Sequence, residues 1–327
     1  MLTKQKENNM NILVTGCAGF IGSHLCERLV EEKHTIFGID NFDTFYDRVI
    51  KEKNLEGLLA KENFHFTEND IRNAAALNEI EVDIDLVIHL AAKAGVRPSI
   101  QYPEEYIDTN IQGTLNIVNF MVSRNIKKIL FASSSSVYGN NAKSPFNESQ
   151  ITDEPISPYA FTKKSCELLL YTYSDLYNIS SVALRFFTVY GPRQRPDLAI
   201  HKFFDAIAAG KPIQVYGDGT THRDYTFIKD IISGIEGAME FICNKAEKVF
   251  EIINLGNNNP ISLKDLILEI EEAAGKKALL EYKDMQPGDM PSTCADVTKA
   301  YRLLNYKPKT TMKQGLAEFW EWKKNFL

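Results

Sequence analysis

The chain has 327 residues, and 37 Lys and Arg against 43 Asp and Glu give it a formal net charge of −6. This acidic balance excludes a general nucleic-acid binder, which carries a basic excess. Any anionic ligand must therefore be bound by a local group of arginines rather than by the field of the whole protein. At about 150 residues per domain, the length predicts two domains or one large domain with an added lobe.

Patterns for metal binding, disulfides and membrane insertion are missing from the sequence. The five cysteines form no CxxC pair and the six histidines have no metal-ligand spacing. This argues against a disulfide scaffold or a zinc site and favours a reducing compartment, the cytoplasm. No apolar run reaches the length of a membrane span. We expect neither a metal nor a membrane partner, and Met10 is an alternative start after a disordered leader of residues 1–9.

Short apolar runs alternate with helical patterns in the first half of the chain. The strands predicted there cover residues 11–15, 35–40, 64–67, 86–90, 129–133 and 182–186. The predicted helices between them cover residues 23–33, 106–124 and 159–177. This alternation predicts an α/β fold with a doubly wound parallel sheet of the Rossmann type.

The pattern becomes less regular after Phe187, where several prolines and a Gly-Asp-Gly turn interrupt the chain. A helix over 200–209, a buried strand over 249–255 and a mostly helical tail are predicted in this half. We therefore place a domain change near Phe187. The predicted sheet domain comprises residues 1–187 with about 226–258. The predicted smaller, mixed α/β domain comprises about 188–225 with 259–327.

A glycine-rich turn joins the first predicted strand to its helix. Gly16, Gly19 and Gly22 follow the spacing GxxGxxG, and Asp40 closes the second predicted strand. Glycines let a pyrophosphate approach the backbone, and the helix N-terminus supplies free N–H groups. A carboxylate at the end of the second strand accepts both ribose hydroxyls and repels a 2′-phosphate, which favours NAD over NADP. The alternative is that the three glycines only make a tight turn.

A tyrosine and a lysine lie one helical turn apart in Tyr159-Ala-Phe-Thr-Lys163. A free tyrosine, with a pKa of about 10, is a poor base at neutral pH. A neighbouring ammonium and the positive nicotinamide of NAD⁺ favour the phenolate, and lowering the pKa by ~3 units requires about 4 kcal/mol. Ser134 closes the fifth predicted strand, where its hydroxyl can share the substrate's proton. The alternative is an ordinary surface pair of Tyr and Lys.

These motifs resemble the extended short-chain dehydrogenase/reductase family of nucleotide-sugar enzymes. The resemblance is carried by TGCAGFIGSHL, the strand-end Asp40, SSSSVYG and YAFTK, and it extends over nearly the whole chain. It implies that Ser134, Tyr159 and Lys163 are catalytic and that NAD is the cofactor. The NAD contacts that it implies are Gly16, Gly19, Phe20, Ile21, Gly22, Asp40, Asn41, Asp70, Ile71, Leu90, Ala91, Ala92, Asn110, Tyr159, Lys163 and Phe187. For Asp70, an ordinary strand-end aspartate explains the pattern equally well.

Two serines bear on which reaction the resemblance implies. Members that eliminate water carry acidic residues two and three positions before the Tyr of the VYG segment. Decarboxylating members carry a Glu two positions before it. This chain has Ser136 and Ser135 at those positions, so the site can oxidise and reduce a carbinol but has no evident group for elimination. This favours an epimerase.

Three segments resemble UDP-glucuronate 4-epimerases in particular, at residues 89–99, 185–197 and 286–290. UDP-glucose and UDP-GlcNAc epimerases usually carry an Asn where this chain has Thr188, and an Arg where it has Gln286. Lys93 stands where uronate epimerases often have Gln.

A guanidinium on a proline-constrained loop fits a uronate, because Arg195 can bind a carboxylate bidentately. A solvated loop charge or a phosphate contact is the alternative for Arg195. The resemblance implies that Arg223 binds the pyrophosphate and that Val215 and Tyr216 flank the uracil, although Tyr216 is equally explained as a packed turn aromatic. The expected substrate contacts are Arg97, Ser134, Ser136, Thr188, Arg195, Val215, Tyr216, Arg223 and Asp289.

The reaction implied is reversible C4 epimerisation of UDP-glucuronate to UDP-galacturonate through a 4-keto intermediate, with tightly held NAD. The alternatives are a UDP-GlcNAc or UDP-glucose 4-epimerase, a UDP-glucuronate decarboxylase and, remotely, a non-catalytic NAD-binding sensor, which usually loses the Tyr or the Lys. The resemblance also implies a role in polysaccharide biosynthesis and a homodimer formed by the helices at 106–124 and 159–177. A monomeric core explains part of the apolar surface of residues 168–171 and Tyr173 equally well.

Overall fold

The structure is a computed structural model that describes residues 9–140, 142–284 and 292–325. Its strands are β1 (Asn11–Thr15), β2 (Thr35–Asp40), β3 (Phe64–Glu68), β4 (Leu86–His89), β5 (Lys128–Ser134), β6 (Ser180–Phe186), β7 (Thr188–Tyr190), β8 (Pro212–Tyr216), β9 (His222–Arg223), β10 (Tyr225–Phe227), β11 (Phe250–Leu255), β12 (Ile261–Ser262) and β13 (Leu279–Lys283). Its α-helices are α1 (Phe20–Glu31), α2 (Arg48–Leu59), α3 (Ala74–Leu77), α4 (Val96–Gln101), α5 (Pro103–Tyr106), α6 (Gly113–Ser123), α7 (Pro158–Tyr177), α8 (Ala199–Ala209), α9 (Ile228–Cys243), α10 (Leu263–Ala274), α11 (Thr298–Leu304) and α12 (Met312–Lys324). A π-helical turn at Ile107–Gln112 joins α5 to α6, and a 3₁₀ turn at Ser135–Tyr138 follows β5.

Seven strands form one parallel sheet in the order β11-β6-β5-β4-β1-β2-β3. Strand β1 pairs with β2 on one side and with β4 on the other, so the winding direction reverses between β1 and β4. In such sheets, ligands bind outside the carboxyl ends of the strands at the point of reversal. The predicted doubly wound parallel sheet is confirmed.

The sheet is covered on both faces, which explains why its strands read as nearly continuous apolar runs. Successive β1 residues point to opposite faces. Ile12 and Val14 belong to the core beneath α1 and α9, whereas Leu13 belongs to the core beneath α6 and α7. All residues of β6 are buried. The first of these two cores continues into the second lobe, where it includes Phe204 and Phe319.

The first helix begins earlier than predicted, at Phe20 rather than at residue 23, so that Gly22 lies in its first turn. A Cβ on Gly22 would lie 2.1 Å from the carbonyl oxygen of Gly16. Gly16 has φ +75°, and a Cβ there would lie 2.8 Å from the backbone nitrogen of Ala91. Glycine is therefore required at position 22 because α1 passes close to the turn, and at position 16 because the segment after β4 passes close to it.

The helix predicted over 106–124 is interrupted in the structure. A π-helical turn at Ile107–Gln112 separates α5 from α6 and buries Asn110. Gly113 begins α6, and a Cβ on it would lie 2.5 Å from Cδ1 of Ile71. The sequence pattern did not reveal the interruption, because the turn is set by the contacts of Asn110 with Lys93 and Thr162, which are distant in sequence.

Three two-stranded ribbons lie outside the large sheet, pairing β7 with β10, β9 with β12 and β8 with β13. Helix α10 packs against α8 and α12, and α8 packs on β8, whereas α9 packs on the large sheet, of which β11 is an edge strand. We propose a domain division along these groups, which the β7–β10 ribbon and the packing of α11 on α9 and β11 cross. The sheet domain then comprises residues 1–187 with about 226–258, and the smaller domain about 188–225 with 259–327.

All five cysteines are free. Within residues 9–140, 142–284 and 292–325, no helix combines the length and apolar character that crossing a bilayer requires. The same residues contain no group of three or more His, Cys, Asp or Glu side chains suited to a metal ion.

The contact between Gly22 and Gly16 predicts a stability effect. We expect Gly22→Ala to lower the free energy of unfolding by about 1–3 kcal/mol, because the added methyl forces α1 away from the turn. Gly57→Ala is the matched control, since a Cβ on this glycine of α2 meets no atom within 4 Å and should stabilise the helix by about 0.5–1 kcal/mol. Urea denaturation measures both variants, and equal stabilities for Gly22→Ala and the wild type would contradict the prediction.

Candidate active site

A cavity of about 610 Å³ lies at the carboxyl end of the parallel sheet. Its lining includes residues at or just after the ends of five strands: Gly16, Asp40, Leu90, Ser134 and Phe187. Parallel strands end at the same edge of a sheet, so segments far apart in sequence meet there. The cavity occupies the position at which doubly wound sheets bind their ligands.

The glycine turn forms one wall of this cavity. Gly19 precedes α1 without a side-chain cap, and Gly19, Phe20, Ile21 and Gly22 line the cavity. An uncapped helix N-terminus presents free N–H groups and the positive end of the helix dipole to an anion. The arrangement therefore fits the pyrophosphate of a dinucleotide.

The Asp40 carboxylate lies at the end of β2, where the sequence predicted it. It accepts hydrogen bonds from the backbone N–H groups of Ala18 at 3.2 Å and Phe42 at 2.8 Å. The ammonium of Lys51 lies 3.6 Å from Oδ1 and also 5.0 Å from the ring centroid of Tyr46. Lys51 lines the cavity but was not predicted, because in sequence it is indistinguishable from an exposed lysine of a charged helix.

Asn110 does not line the cavity among the described residues; it supports the loop that does. Its side chain accepts a hydrogen bond from the Lys93 backbone N–H at 2.8 Å and donates to the Lys93 carbonyl at 3.0 Å. It also donates to Oγ1 of Thr162 at 2.9 Å. Asn110 thereby fixes the segment after β4, whose Leu90, Ala91 and Ala92 line the cavity, against α7.

Asp70 also lies behind the lining rather than in it, whereas Asn41 and Ile71 line the cavity. Asp70 accepts a hydrogen bond from Asn41 at 2.8 Å and is paired with Arg72 at 2.7 Å. Hydrogen bonds from the Arg72 side chain are the main reason that the pKa of Asp70 falls to about 2. Asp70 therefore holds the side chain of Asn41, which lines the cavity, in place.

The three predicted catalytic residues line the same cavity. Ser157 caps the first turn of α7 by accepting a hydrogen bond from Ala160 at 3.1 Å, which sets the position of Tyr159. Lys163 donates to the carbonyl of Ala132 at 2.7 Å, which holds α7 against β5. Ser134 ends β5 in the same cavity.

Burial dominates the titration of the tyrosine and the lysine. It lowers the pKa of Lys163 to about 8. Burial also raises the pKa of Tyr159, and the Ser134 hydroxyl and the positive charge of Arg195 act in the opposite direction. Burial therefore opposes the predicted lowering of the tyrosine pKa. Among the groups of this chain, the Ser134 hydroxyl and the Arg195 charge counteract it.

A buried ion pair that the sequence reasoning missed lies beneath the catalytic residues. Arg185 binds both carboxylate oxygens of Glu167, at 2.9 and 2.8 Å. Ser133 donates to the same carboxylate at 2.6 Å. The pair connects α7 to β5 and β6, next to Ser134 and Lys163. One signal was available, since Glu167 lies one helical turn after Lys163 on the same face.

Arg195 also lines the cavity, as do Thr188 and Ser136. Its guanidinium carbon lies 5.1 Å from the ring centroid of Phe45. Nε and Nη2 donate to the two carboxylate oxygens of Asp197, at 2.9 and 2.8 Å. The sequence reasoning gave Asp197 no role, because nothing in the loop sequence indicates that the pair faces the cavity.

A second cavity of about 440 Å³ adjoins the first. Arg97, Asp197, Leu198 and Arg223 line both cavities, so the two meet at these residues. The Arg97 guanidinium lies 5.3 Å from the ring centroid of Tyr216.

Two expected substrate contacts are not among the residues that line the cavities. The side chain of Val215 is buried elsewhere, and Asp289 is not described by the structure. The side chain of Val215 is buried in the core, 1% exposed, and does not line either cavity among the described residues. A contact from this residue to a uracil would therefore come from its backbone. Asp289, and with it Gln286, lies outside the described residues.

Residues 13–319 match the family model described as GDP-mannose 4,6 dehydratase. The chain belongs to this family. The UDP-glucuronate 4-epimerase of Thermodesulfobacterium geofontis is 44% identical over 315 residues, which cover 95% of this chain and 95% of that protein. The resemblance to the extended short-chain dehydrogenases is thereby confirmed.

Solved structures resemble the whole chain. The UDP-glucuronic acid 4-epimerase of Bacillus cereus, in complex with UDP-glucuronic acid and NAD, has a TM-score of 0.90 and 37% identity, covering 97% of this chain and 100% of that chain. The UDP-glucose 4-epimerase of Thermotoga maritima, with UDP-glucose, has a TM-score of 0.88 and 31% identity, covering 97% of this chain and 99% of that chain.

The lowered pKa of Lys163 predicts a pH-dependent stability. Its usual value is 10.5, and burial lowers it to about 8 in the folded protein. Below pH 8 the folded protein must bury the charged form, which costs about 3 kcal/mol, and this cost disappears between pH 8 and 10.5. We therefore expect the stability of Lys163→Met relative to the wild type to fall by about 3 kcal/mol from pH 7 to pH 10.5. Urea denaturation at both pH values measures it, and a constant difference would contradict the prediction.

Proposed function

We propose that the protein catalyses the reversible C4 epimerisation of UDP-glucuronate and UDP-galacturonate with bound NAD. The observation that carries the proposal is that Ser134, Tyr159 and Lys163 share one cavity with Asp40 and with Arg195. These residues provide proton transfer, a ribose contact and a cation for a sugar carboxylate. The similarity over nearly full length to enzymes named UDP-glucuronate 4-epimerases supports the same activity.

The residues present fit NAD. The uncapped N-terminus of α1, with Gly16 and Gly22, would hold the pyrophosphate. Asp40 would accept the ribose hydroxyls, and Leu90 would line the dinucleotide path beside Ala91. NAD held there would supply the hydride acceptor and the hydride donor for C4 of the sugar. The chain's own residues must then move the proton and control the sugar.

Tyr159 would act as the base that takes the proton of the C4 hydroxyl, directly or through Ser134. Lys163, one helical turn after Tyr159 on the same face of α7, is held by the Ala132 carbonyl at 2.7 Å. Arg195 adds positive charge that favours the phenolate. After the 4-keto sugar has turned over, Tyr159 returns the proton from the same position.

A uronate brings a hazard, because a C4 ketone is β to the C6 carboxylate and such acids lose CO₂ readily. Cleavage requires the C–C bond to align with the carbonyl π system. An enzyme that keeps the carboxylate near the plane of the ketone prevents it. We assign this restraint to Thr188 and Arg195.

The diphosphate would be bound by Arg223 and Arg97, where the two cavities meet.

The alternatives fit the site less well. Ser135 and Ser136 provide no carboxylate for elimination or decarboxylation at the end of β5. A UDP-glucose or UDP-GlcNAc epimerase has no charge at C6 of its sugar and so no need for the Arg195 cation. A non-catalytic sensor has no need for the Tyr159 and Lys163 set.

Turnover of UDP-glucuronate by the purified protein tests the activity, with UDP-galacturonate as the expected product by chromatography. Tyr159→Phe should reduce the rate by about 10²–10⁴-fold because the proton acceptor is lost. The amount of NAD bound by this variant should be unchanged, because Phe keeps the aromatic ring of Tyr159. Tyr301→Phe, at an exposed position of α11, is the control and should keep the wild-type rate. Near-wild-type turnover by Tyr159→Phe would end the proton-transfer proposal.

We infer that the protein is a homodimer in which the helical segment 106–124 and α7 pair with their symmetry copies. Leu168 and Tyr171 of α7 are 57% and 59% exposed, and Phe161 and Ile107 nearby are also exposed. Leu170, in contrast, is buried in the monomer core. A contiguous exposed apolar face of this kind supports a self-complementary contact. We also infer that the activated uronate serves polysaccharide biosynthesis.

The dimer proposal predicts that charges on α7 separate the subunits. The double variant Leu168→Glu, Tyr171→Glu should sediment as a monomer, because facing carboxylates repel across a two-fold axis. Leu268→Glu carries a charge at a similarly exposed position on α10 and should remain dimeric. A dimeric double variant in analytical ultracentrifugation would show that α7 is not the interface.

A further inference from the structure

The guanidinium of Arg195 already has a carboxylate partner inside the cavity. Its Nε and Nη2 donate to Oδ1 and Oδ2 of Asp197 at 2.9 and 2.8 Å. Both residues line the main cavity, and their side chains are 17% and 34% exposed. Paired hydrogen bonds between a guanidinium and a carboxylate are among the strongest that side chains make. A sugar carboxylate that reaches Arg195 therefore meets a cation that Asp197 has already engaged.

The pairing leaves one edge of the guanidinium for a second carboxylate. Arginine has five N–H donors, and Asp197 takes one from Nε and one from Nη2. The donors that remain are on Nη1 and Nη2. The ring of Phe45, whose centroid lies 5.1 Å from the guanidinium carbon, supports the face of the group. Asp197 and Phe45 together orient Arg195 and leave the Nη1 and Nη2 edge of its guanidinium available to a ligand.

The loop that carries the pair has anchors of its own. Gln194 donates to the Val189 carbonyl at 2.9 Å, and its own carbonyl contacts Nδ1 of His201 at 2.7 Å. Arg193 is paired with Glu27 of α1 at 2.7 Å. The backbone position of the loop therefore does not depend on Asp197 alone, and a change at Asp197 acts mainly on the charge and orientation of Arg195.

Two carboxylates on one guanidinium repel each other, so each is bound less tightly than it would be alone. For the proposed reaction this is useful, because the 4-keto sugar must turn over between the two hydride transfers. During that turn its carboxylate changes its contacts with Arg195, and the restraint that keeps it near the plane of the ketone applies at the two ends of the turn. An arginine that held the carboxylate at full strength would stabilise the bound ground state and slow the turn, and interactions that favour the ground state do not accelerate a reaction.

We propose that Asp197 is a positioning residue that weakens the hold of Arg195 on the sugar carboxylate and so permits the sugar to turn over. The inference rests on the proposed function, because it assumes a uronate substrate. It makes Asp197 a determinant of the balance between substrate affinity and turnover. It also predicts that the effect is confined to substrates with a charged C6 group.

The test is Asp197→Asn in the NAD-loaded protein, a change that keeps the shape of the side chain and removes its charge. We expect KM for UDP-glucuronate to fall by about tenfold and kcat to fall by a similar factor. A tenfold change is the effect expected for one charge-assisted hydrogen bond. The Kd for UDP-glucuronate from calorimetry should fall in parallel. The Kd for UDP-glucose, whose C6 group is neutral, should change by less than about twofold.

Three further variants distinguish this role from a structural one. Asp197→Glu restores the charge and should return KM and kcat toward the wild-type values. Asp197→Ser should reproduce the effect of Asn, which guards against a defect specific to one variant. Glu27→Gln is the control. It removes the carboxylate partner of Arg193, which belongs to the same loop as Asp197. Neither Glu27 nor Arg193 is among the residues that line the cavity, so KM and kcat should keep their wild-type values.

The outcomes separate the two proposals. An unchanged or raised KM in Asp197→Asn, or an unchanged kcat, would overturn the role of Asp197. An equal effect on UDP-glucose would overturn it as well, because the loss would then be one of general shape. Failure of the wild-type protein to convert UDP-glucuronate would instead refute the proposed function.

Discussion

The hydrogen bond from Lys163 to the carbonyl of Ala132, at 2.7 Å, is the interaction on which the arrangement of the cavity depends. It attaches the first half of α7 to the end of β5 in a fully buried setting. Tyr159 and Ser134, which are distant in sequence, therefore face one cavity. The Glu167 and Arg185 ion pair reinforces the same junction one turn further along the helix. Removing one partner of such a pair leaves an uncompensated buried charge, so loss of either Glu167 or Arg185 would destabilise the junction.

Several of the cations that line the cavity of this acidic protein are paired with carboxylates of the chain. Asp40 lies beside Lys51, and Arg195 is bound by Asp197. At the rim, Lys93 lies 3.3 Å from Asp43 and 2.6 Å from Glu105. Each cation is thus held in place by a carboxylate of the chain itself. Such preorganisation fixes the geometry of the cations before a ligand arrives and moderates their affinity.

The alternation of strands and helices was readable from the sequence because buried parallel strands have continuous apolar runs and their helices have apolar faces. The bounds of β1 and β2 agree with the prediction at both ends. The start of α1 and the π-helical turn near Asn110 were not readable, because both are set by contacts with other segments: Gly22 against Gly16, and Asn110 against Lys93 and Thr162.

The sequence by itself determined the fold class, the glycine turn, the Asp40 position and the pairing of Tyr159 with Lys163, because each follows from local spacing along one strand or helix. Only the tertiary structure decided that Lys51, Asp197 and Glu167 lie next to these groups, and that Asn110 and Asp70 stand behind the cavity lining. It also decided that burial opposes the lowering of the Tyr159 pKa. Spacing along the chain specifies which residues share a face, whereas burial and the partner of a charged group depend on segments that meet only when the chain has folded.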